Sequence, residues 1–196
     1  MPEPRTASKL VLASRSPRRE QILRMLGVEF TAKHPDYGEI IPAGADPKQV
    51  PEHLARGKAA SISDLGATTL VLGSDTVVLL GDRILTKPDD AEHAYEMLMA
   101  LNGRTHQVVT GVALAREGRV IDSGSVLTEV TFAQVPKAEL RAYANSQEPL
   151  DKAGAYAIQG YGARLVESVR GCFYNVMGLP IQLTLRMLKP HLLGET

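Results

Sequence analysis

Residues 69 to 80, TLVLGSDTVVLL, constrain the fold more than any other stretch of this chain. The run is β-branched and apolar on both parities, as expected of a strand buried on both faces. Inside it sits Gly73-Ser74-Asp75-Thr76. A carboxylate at that depth must be paired, bound to a metal or at the mouth of a cleft, because an isolated buried charge is too costly. Asp75 therefore reads as a metal ligand or general base, or else as a residue capping a neighbouring turn.

The flanking segments supply the covering layers. Residues 9 to 13 read as a short buried strand. It runs into Ser14-Arg15-Ser16-Pro17-Arg18-Arg19, where Ser16 is a natural N-cap and Pro17 a natural first helical residue. Ile22, Leu23 and Leu26 carry the helical spacing, and Gly27 is a natural stop. Residues 35 to 50 are rich in Pro, Gly and Asp and read as a loop. A second helix, PEHLARGKAASISDLG, opens at Pro51, with Leu54, Ala55, Ile62 and Leu65 as its buried positions. Gly81-Asp82 turns the chain into RILTKP, and Asp89 with Glu92 forms a capping box for a helix to about Leu101. Residues 105 to 116 and 119 to 133 are β-rich runs separated by Glu117-Gly118, a hairpin signal. A helix starts at Pro136, GAYAIQG reads as a strand, and a last helix follows Pro180. With no repeat, low-complexity tract or linker, we expect one continuous α/β domain over residues 1 to 196. It should hold a mixed sheet with a long antiparallel ribbon flanked by helices, in two lobes around a cleft.

Charge and cysteine usage narrow the function classes. Lys+Arg and Asp+Glu are both 22, so formal net charge is zero, which argues against a nucleic-acid polymer or a membrane as partner. There is no Trp and there are only three Phe, so stacking platforms for single strands are not suggested. No apolar run approaches the roughly 18 residues needed to span a bilayer. MPEPRTASK lacks the apolar core of a signal peptide, and the single cysteine, Cys172, is compatible with a reducing compartment. The expectation is a cytoplasmic protein.

Arg18 and Arg19 stand in the first turn of a helix, where the dipole disfavours cations and favours anions. A bound polyanion would reverse that sign, with Ser14 and Ser16 as added donors and the arginines as planar forks for phosphate oxygens. The bland alternative is a capped helix with solvated arginines. Lys58, Lys87 and Lys152 are dispersed, and each alone reads as a surface lysine. With the arginines they could neutralise several phosphates, and Glu39 and Asp75 could hold Mg²⁺. That inventory suits phosphoryl or nucleotidyl chemistry. GxxxxGK[ST], GxGxxG after a strand and GxSxG are all missing, and the five histidines have no HExxH-like spacing. His106 reads as a strand residue, and Cys172 as a small packed one.

Seven segments, in order, resemble the Maf family, also called septum formation inhibitor proteins. They are LASRSPRREQIL, LARGKAAS, LGSDTVV, LTKPDDAEHAYEML, LNGRTHQVVTGVAL, EPLDKAGAYAIQG and GCFYNVMGLP. The family comprises nucleoside triphosphate pyrophosphatases related in fold to the inosine triphosphate pyrophosphatases. The resemblance, over about residues 9 to 188, implies hydrolysis between the α and β phosphates with a divalent cation, Mg²⁺ or Mn²⁺. By position, Ser14, Ser16, Arg18 and Arg19 match the phosphate-binding motif and Lys58 and Lys87 the catalytic-site lysines. Asp75 matches the proton acceptor, and Glu39 falls where relatives carry an acidic residue near the metal. The pattern Pro35-Asp36-Tyr37-Gly38-Glu39 stands where many relatives have PDxDE, so Gly38 replaces a carboxylate.

EPxDKAGxYxIQG resembles the branch acting on dTTP and UTP, in which Arg18, Thr76 and Gln159 match the specificity positions. The Gln159 amide is complementary to the O4 acceptor and N3–H donor of uracil or thymine, whereas a glutamate would suit a cationic methylated guanine. The resemblance thus implies a dTTP/UTP pyrophosphatase. Two rivals stand beside it: a pyrophosphatase for another nucleotide, such as 7-methylguanosine triphosphate, and a non-catalytic nucleotide-binding regulator of septum formation. Relatives are often homodimers. Arg15 occupies a variable position and is expected to face solvent.

Overall fold

The computed structural model describes residues 9 to 192. The N-terminal reading on a leader sequence concerns residues outside that range. The chain divides into two compact units. One comprises residues up to Asp75 together with Thr110–Val126 and the chain from Gly178, and the other Thr76–Val109 and Leu127–Met177.

Seven strands form one mixed sheet. They are β1 (Lys9–Ala13), β2 (Thr31–Lys33), β3 (Thr69–Leu80), β4 (Arg83–Leu85), β5 (Thr105–Arg116), β6 (Arg119–Phe132) and β7 (Val166–Arg170). The order is β2-β1-β3-β5-β6-β7, with β4 on β3. The helices are α1 (Pro17–Met25), α2 (Val50–Ala60), α3 (Ala91–Leu101), α4 (Lys137–Ala144), α5 (Phe173–Met177) and α6 (Ile181–Leu192). The strand inferred from 69–80 is β3, buried at all but two of its twelve residues. The ribbon inferred from Glu117-Gly118 is β5 and β6. Both turn residues take positive φ (49° and 75°), and a two-residue loop can join only antiparallel neighbours.

In the first unit, β1 runs parallel to both β2 and β3, with Ala13 opposite Gly73. Val11, Ala13 and Val71 meet Ala55, Ala59 and Ile62 in a core that also holds Ala113 and Ala115. Small residues dominate because α2 lies very close to β3. A Cβ on Gly73 would collide with the Ala55 carbonyl oxygen and the Ala59 amide. In the second unit, Leu98, Leu101, Val130, Phe132, Leu140 and Tyr143 anchor a larger core. His106, a β5 residue as read, packs edge-on against Phe132 and Tyr156 and shares a 2.8 Å hydrogen bond with the Tyr156 hydroxyl.

Four expectations need correction. GAYAIQG is not a strand. It opens as a 3-10 turn over Ala153–Ala155 with Gly154 and Ala155 at positive φ, so its apolar residues are buried singly rather than by strand pairing. The second helix stops at Ala60, and Ile62 enters the core from beyond its end. The α3 cap is Asp90, whose side chain accepts from the His93 amide at 2.8 Å, while Glu92 pairs with Arg141 instead of closing a capping box. Ser16 does occupy the N-cap of α1, but its side chain makes no capping bond. The strands β2 and β7 and the short α5 were not anticipated.

Candidate active site

Seven of the ten residues singled out belong to the first unit, and two close approaches bring Lys58, Asp75 and Glu39 together there. Gly73 lets the α2 backbone sit on β3, and two residues along the same face Asp75 reaches Lys58 of α2. On α2, Gly57 leaves space for the Tyr37 ring, which a Cβ would strike. That contact draws the 35–41 loop onto α2 and places Glu39 on the same lysine, 2.6 Å from Lys58 Nζ.

The Lys58–Asp75 pair is buried, with side chains 11% and 12% exposed, whereas Glu39 is 60% exposed. Burial pushes the Asp75 carboxyl above the usual carboxylate range, and Glu39 adds to this, while Lys58 and Arg19 oppose it. Two carboxylates therefore converge on one ammonium, and the inner one is a stronger base than an exposed aspartate.

The phosphate-type turn lies beside this pair. β1 ends at Ala13 opposite Gly73, so the chain leaves it next to Ser74 and Asp75, on the side where ligands bind in parallel sheets. Ser14 is buried, Arg15 exposed as anticipated, and Arg18 and Arg19 half-buried on the first turn of α1. Arg19 Nη1 donates to Ser14 Oγ at 3.2 Å, and the Ser16 amide donates to the same oxygen at 3.1 Å. Arg19 Nε donates to the Gly178 carbonyl at 2.9 Å, which Ser74 Oγ also reaches at 2.9 Å. Burial and the neighbouring Arg18 pull the Arg19 pKa down, and the charges of Asp75 and Glu39 offset them. The adverse dipole at this helix start is thus balanced by a carbonyl and two carboxylates.

Thr76, Lys87 and Gln159 belong to the second unit. Thr76 follows Asp75 along β3. Lys87 is exposed just beyond β4, in a segment whose Thr86 carbonyl accepts from the Gly154 amide at 3.0 Å. Gln159 is exposed at the start of the 3-10 turn Gly160–Leu165. Lys152 serves its own loop, donating to the Glu148 carbonyl and to Asp151, both at 2.6 Å. Sequence reasoning missed Ser74 and the Gly178 carbonyl. Ser74 could have been suspected as a hydroxyl inside an otherwise apolar strand; a backbone acceptor leaves no side-chain signal.

Among the described residues no group of three or more His, Cys, Asp or Glu side chains forms a metal cage. Glu39 and Asp75 are nonetheless two carboxylates close enough to share one ammonium, and a pair of that kind could hold a divalent cation such as Mg²⁺, which takes one or two protein carboxylates. No described helix is long and apolar enough to cross a membrane.

Comparison with known proteins places the chain in a family. Residues 9–191 match the Maf-like protein family. A dTTP/UTP pyrophosphatase of Myxococcus xanthus is 48% identical over 180 residues, covering 92% of this chain and 91% of the relative. A dTTP/UTP pyrophosphatase of Bacillus cereus is 42% identical over 181 residues, covering 92% and 94%. Among solved structures, a HAM1 protein of Coxiella burnetii aligns over 95% of this chain and 94% of its own, with 16% identity and a TM-score of 0.43. The family match over residues 9–191, with relatives 42% and 48% identical over 92% of this chain, makes this chain a member of the Maf-like protein family.

Proposed function

We propose that this chain hydrolyses dTTP and UTP to the nucleoside monophosphate and pyrophosphate. The observation that carries the reading is the buried Asp75–Lys58 pair set beside the arginine-bearing turn that follows β1. The relatives named dTTP/UTP pyrophosphatase, 41% to 48% identical, support the substrate class.

In the reaction, a water oxygen bonds to the α phosphorus, the bond from that phosphorus to the α-β bridging oxygen breaks, and pyrophosphate leaves. Asp75 takes the proton of the attacking water, a task suited to a carboxylate with a raised pKa. Lys58 holds Asp75 and Glu39 in place and adds positive charge where negative charge develops. Ser14, Ser16, Arg18 and Arg19 make up the phosphate-binding turn, with Lys87 as a further cation. Glu39 would hold a divalent cation, which when bound neutralises phosphate charge and polarises the phosphorus, and ligation of the same cation by Asp75 is the alternative to its role as base. Thr76 and Gln159 select the base, the Gln159 amide pairing with the pyrimidine imide edge.

The test is pyrophosphate release from a panel of nucleoside triphosphates with Mg²⁺ or Mn²⁺. Preferential turnover of dTTP and UTP supports the reading. Preference for a purine such as 7-methylguanosine triphosphate assigns another substrate, and tight binding without turnover makes the chain a nucleotide-binding regulator.

A further inference from the structure

The segment GCFYNVMGLP enters the site through one backbone atom. The Gly178 carbonyl oxygen receives two donors, Ser74 Oγ at 2.9 Å and Arg19 Nε at 2.9 Å. Ser74 is 0% exposed, and a hydroxyl in that setting must keep its partner. Gly178 has φ 106°, a conformation that L side chains rarely adopt, so the orientation of its carbonyl depends on glycine.

The other edge of Arg19 acts on Ser14. A serine hydroxyl has two acceptor sites and one proton to donate. Arg19 Nη1 and the Ser16 amide fill both acceptor sites of Ser14 Oγ, at 3.2 and 3.1 Å. The one role left to that hydroxyl is to donate, and its position at the start of the arginine-bearing turn suits an anion as acceptor.

We propose that Ser74 and Arg19 are positioning residues linked through the Gly178 carbonyl, which together fix the Ser14 hydroxyl as a one-way donor to a phosphate oxygen of the substrate. This rests on the triphosphate reading given above. Ser74 fixes the carbonyl, the carbonyl fixes the guanidinium, and the guanidinium sets the polarity of Ser14. Arg19 then acts on the substrate mainly through Ser14, unlike Arg18.

The test is a double-mutant cycle of Ser74→Ala and Ser14→Ala. It reads KM and kcat for dTTP, and the dissociation constant of pyrophosphate as a probe independent of turnover. Thermal unfolding of each variant checks that it is folded. Ser74→Ala, which removes a single buried oxygen, should weaken pyrophosphate binding and raise KM by about tenfold, the lower range for a hydrogen bond to a charged group, with a smaller change in kcat. In the Ser14→Ala background the same substitution should change either quantity less than about twofold, because the two act as one unit. Gly178→Ala, which moves the carbonyl while leaving both hydroxyls, should reproduce the Ser74→Ala pattern. Should Ser74→Ala prove unstable, Gly178→Ala in the two Ser14 backgrounds completes the same cycle. Multiplicative effects, or wild-type binding by Ser74→Ala in a chain that turns over dTTP, would overturn the relay and leave the functional reading standing. A wild-type chain that neither hydrolyses triphosphates nor binds pyrophosphate would overturn both.

Discussion

Lys58→Met isolates the electrostatics on which the site depends. The substitution keeps a long apolar stem on α2 and removes only the ammonium that Asp75 and Glu39 share. Two ion pairs are lost, and their exposures assign them different weights. Glu39 is 60% exposed, so losing its pair costs roughly 0–1 kcal/mol in the water-screened limit. Asp75 is 12% exposed, and stranding a buried carboxylate costs about 3–5 kcal/mol. The buried pair decides the outcome: a loss of about 3 kcal/mol at pH 8, or ~6–12 °C in Tm at the usual 2–4 °C per kcal/mol for a chain of this size. The sign of the pH dependence follows from Asp75. Its pKa is already raised, and loss of Lys58, which opposes the rise, raises it further. A carboxyl whose folded pKa lies above its unfolded value is harmless below the unfolded value and destabilising above the folded one. The deficit of Lys58→Met relative to wild type should therefore shrink as pH falls from 8 to 4. Adding Asp75→Asn, which removes the stranded charge, should restore most of the loss at pH 8 without restoring turnover. Guanidinium unfolding of wild type, Asp75→Asn, Lys58→Met and the double variant at both pH values is the assay. A deficit below about 1 kcal/mol at pH 8, equal deficits at both pH values, or no relief from the second substitution would refute a buried, uncompensated charge.

Gly73→Ala should cost about 1–3 kcal/mol by overpacking and reduce turnover as much as a hundredfold, because its Cβ forces α2 and Lys58 away from β3 and Asp75. Unaltered kinetics in a folded Gly73→Ala chain would contradict that packing argument. His106, buried against Phe132 and Tyr156, has its pKa pushed down to about 4 from 6.5 by burial. Its contribution is present above pH 6.5 and lost as pH falls toward 4, roughly 3 kcal/mol in all, and His106→Gln should flatten the stability curve across that window. Gln159→Glu should shift preference from dTTP and UTP toward 7-methylguanosine triphosphate, and an unchanged preference order in pyrophosphate-release assays would remove Gln159 from base recognition.

The architecture was legible wherever burial and pattern agree. Residues 69 to 80 demanded a two-faced strand, Glu117-Gly118 a hairpin, and Ser16-Pro17 a helix start, and all three stand. The misses have physical causes. Thr31–Lys33 is exposed throughout and carries no pattern; it is a strand because β1 offers it an edge, Val11 opposite Thr31. GAYAIQG has the apolar content of a strand, but positive φ at Gly154 and Ala155 turns it out of the sheet. At the site, the residue types could be read from the sequence but not their pairing. That Lys58 serves Asp75 and Glu39 together follows from the space left by Gly73 and Gly57. The part taken by the Gly178 carbonyl carries no side chain from which it could be inferred.

The central claim is that Asp75, raised in pKa by burial and held by Lys58, accepts the proton of the attacking water. The most direct measurement is the pH dependence of pyrophosphate release from dTTP by wild type and Asp75→Asn. Wild-type kcat/KM should rise with pH along a limb lying above the usual carboxylate range, and Asp75→Asn should lose that limb and about 10²- to 10⁴-fold of the rate. Full turnover by Asp75→Asn, with the same rising limb, would contradict the account.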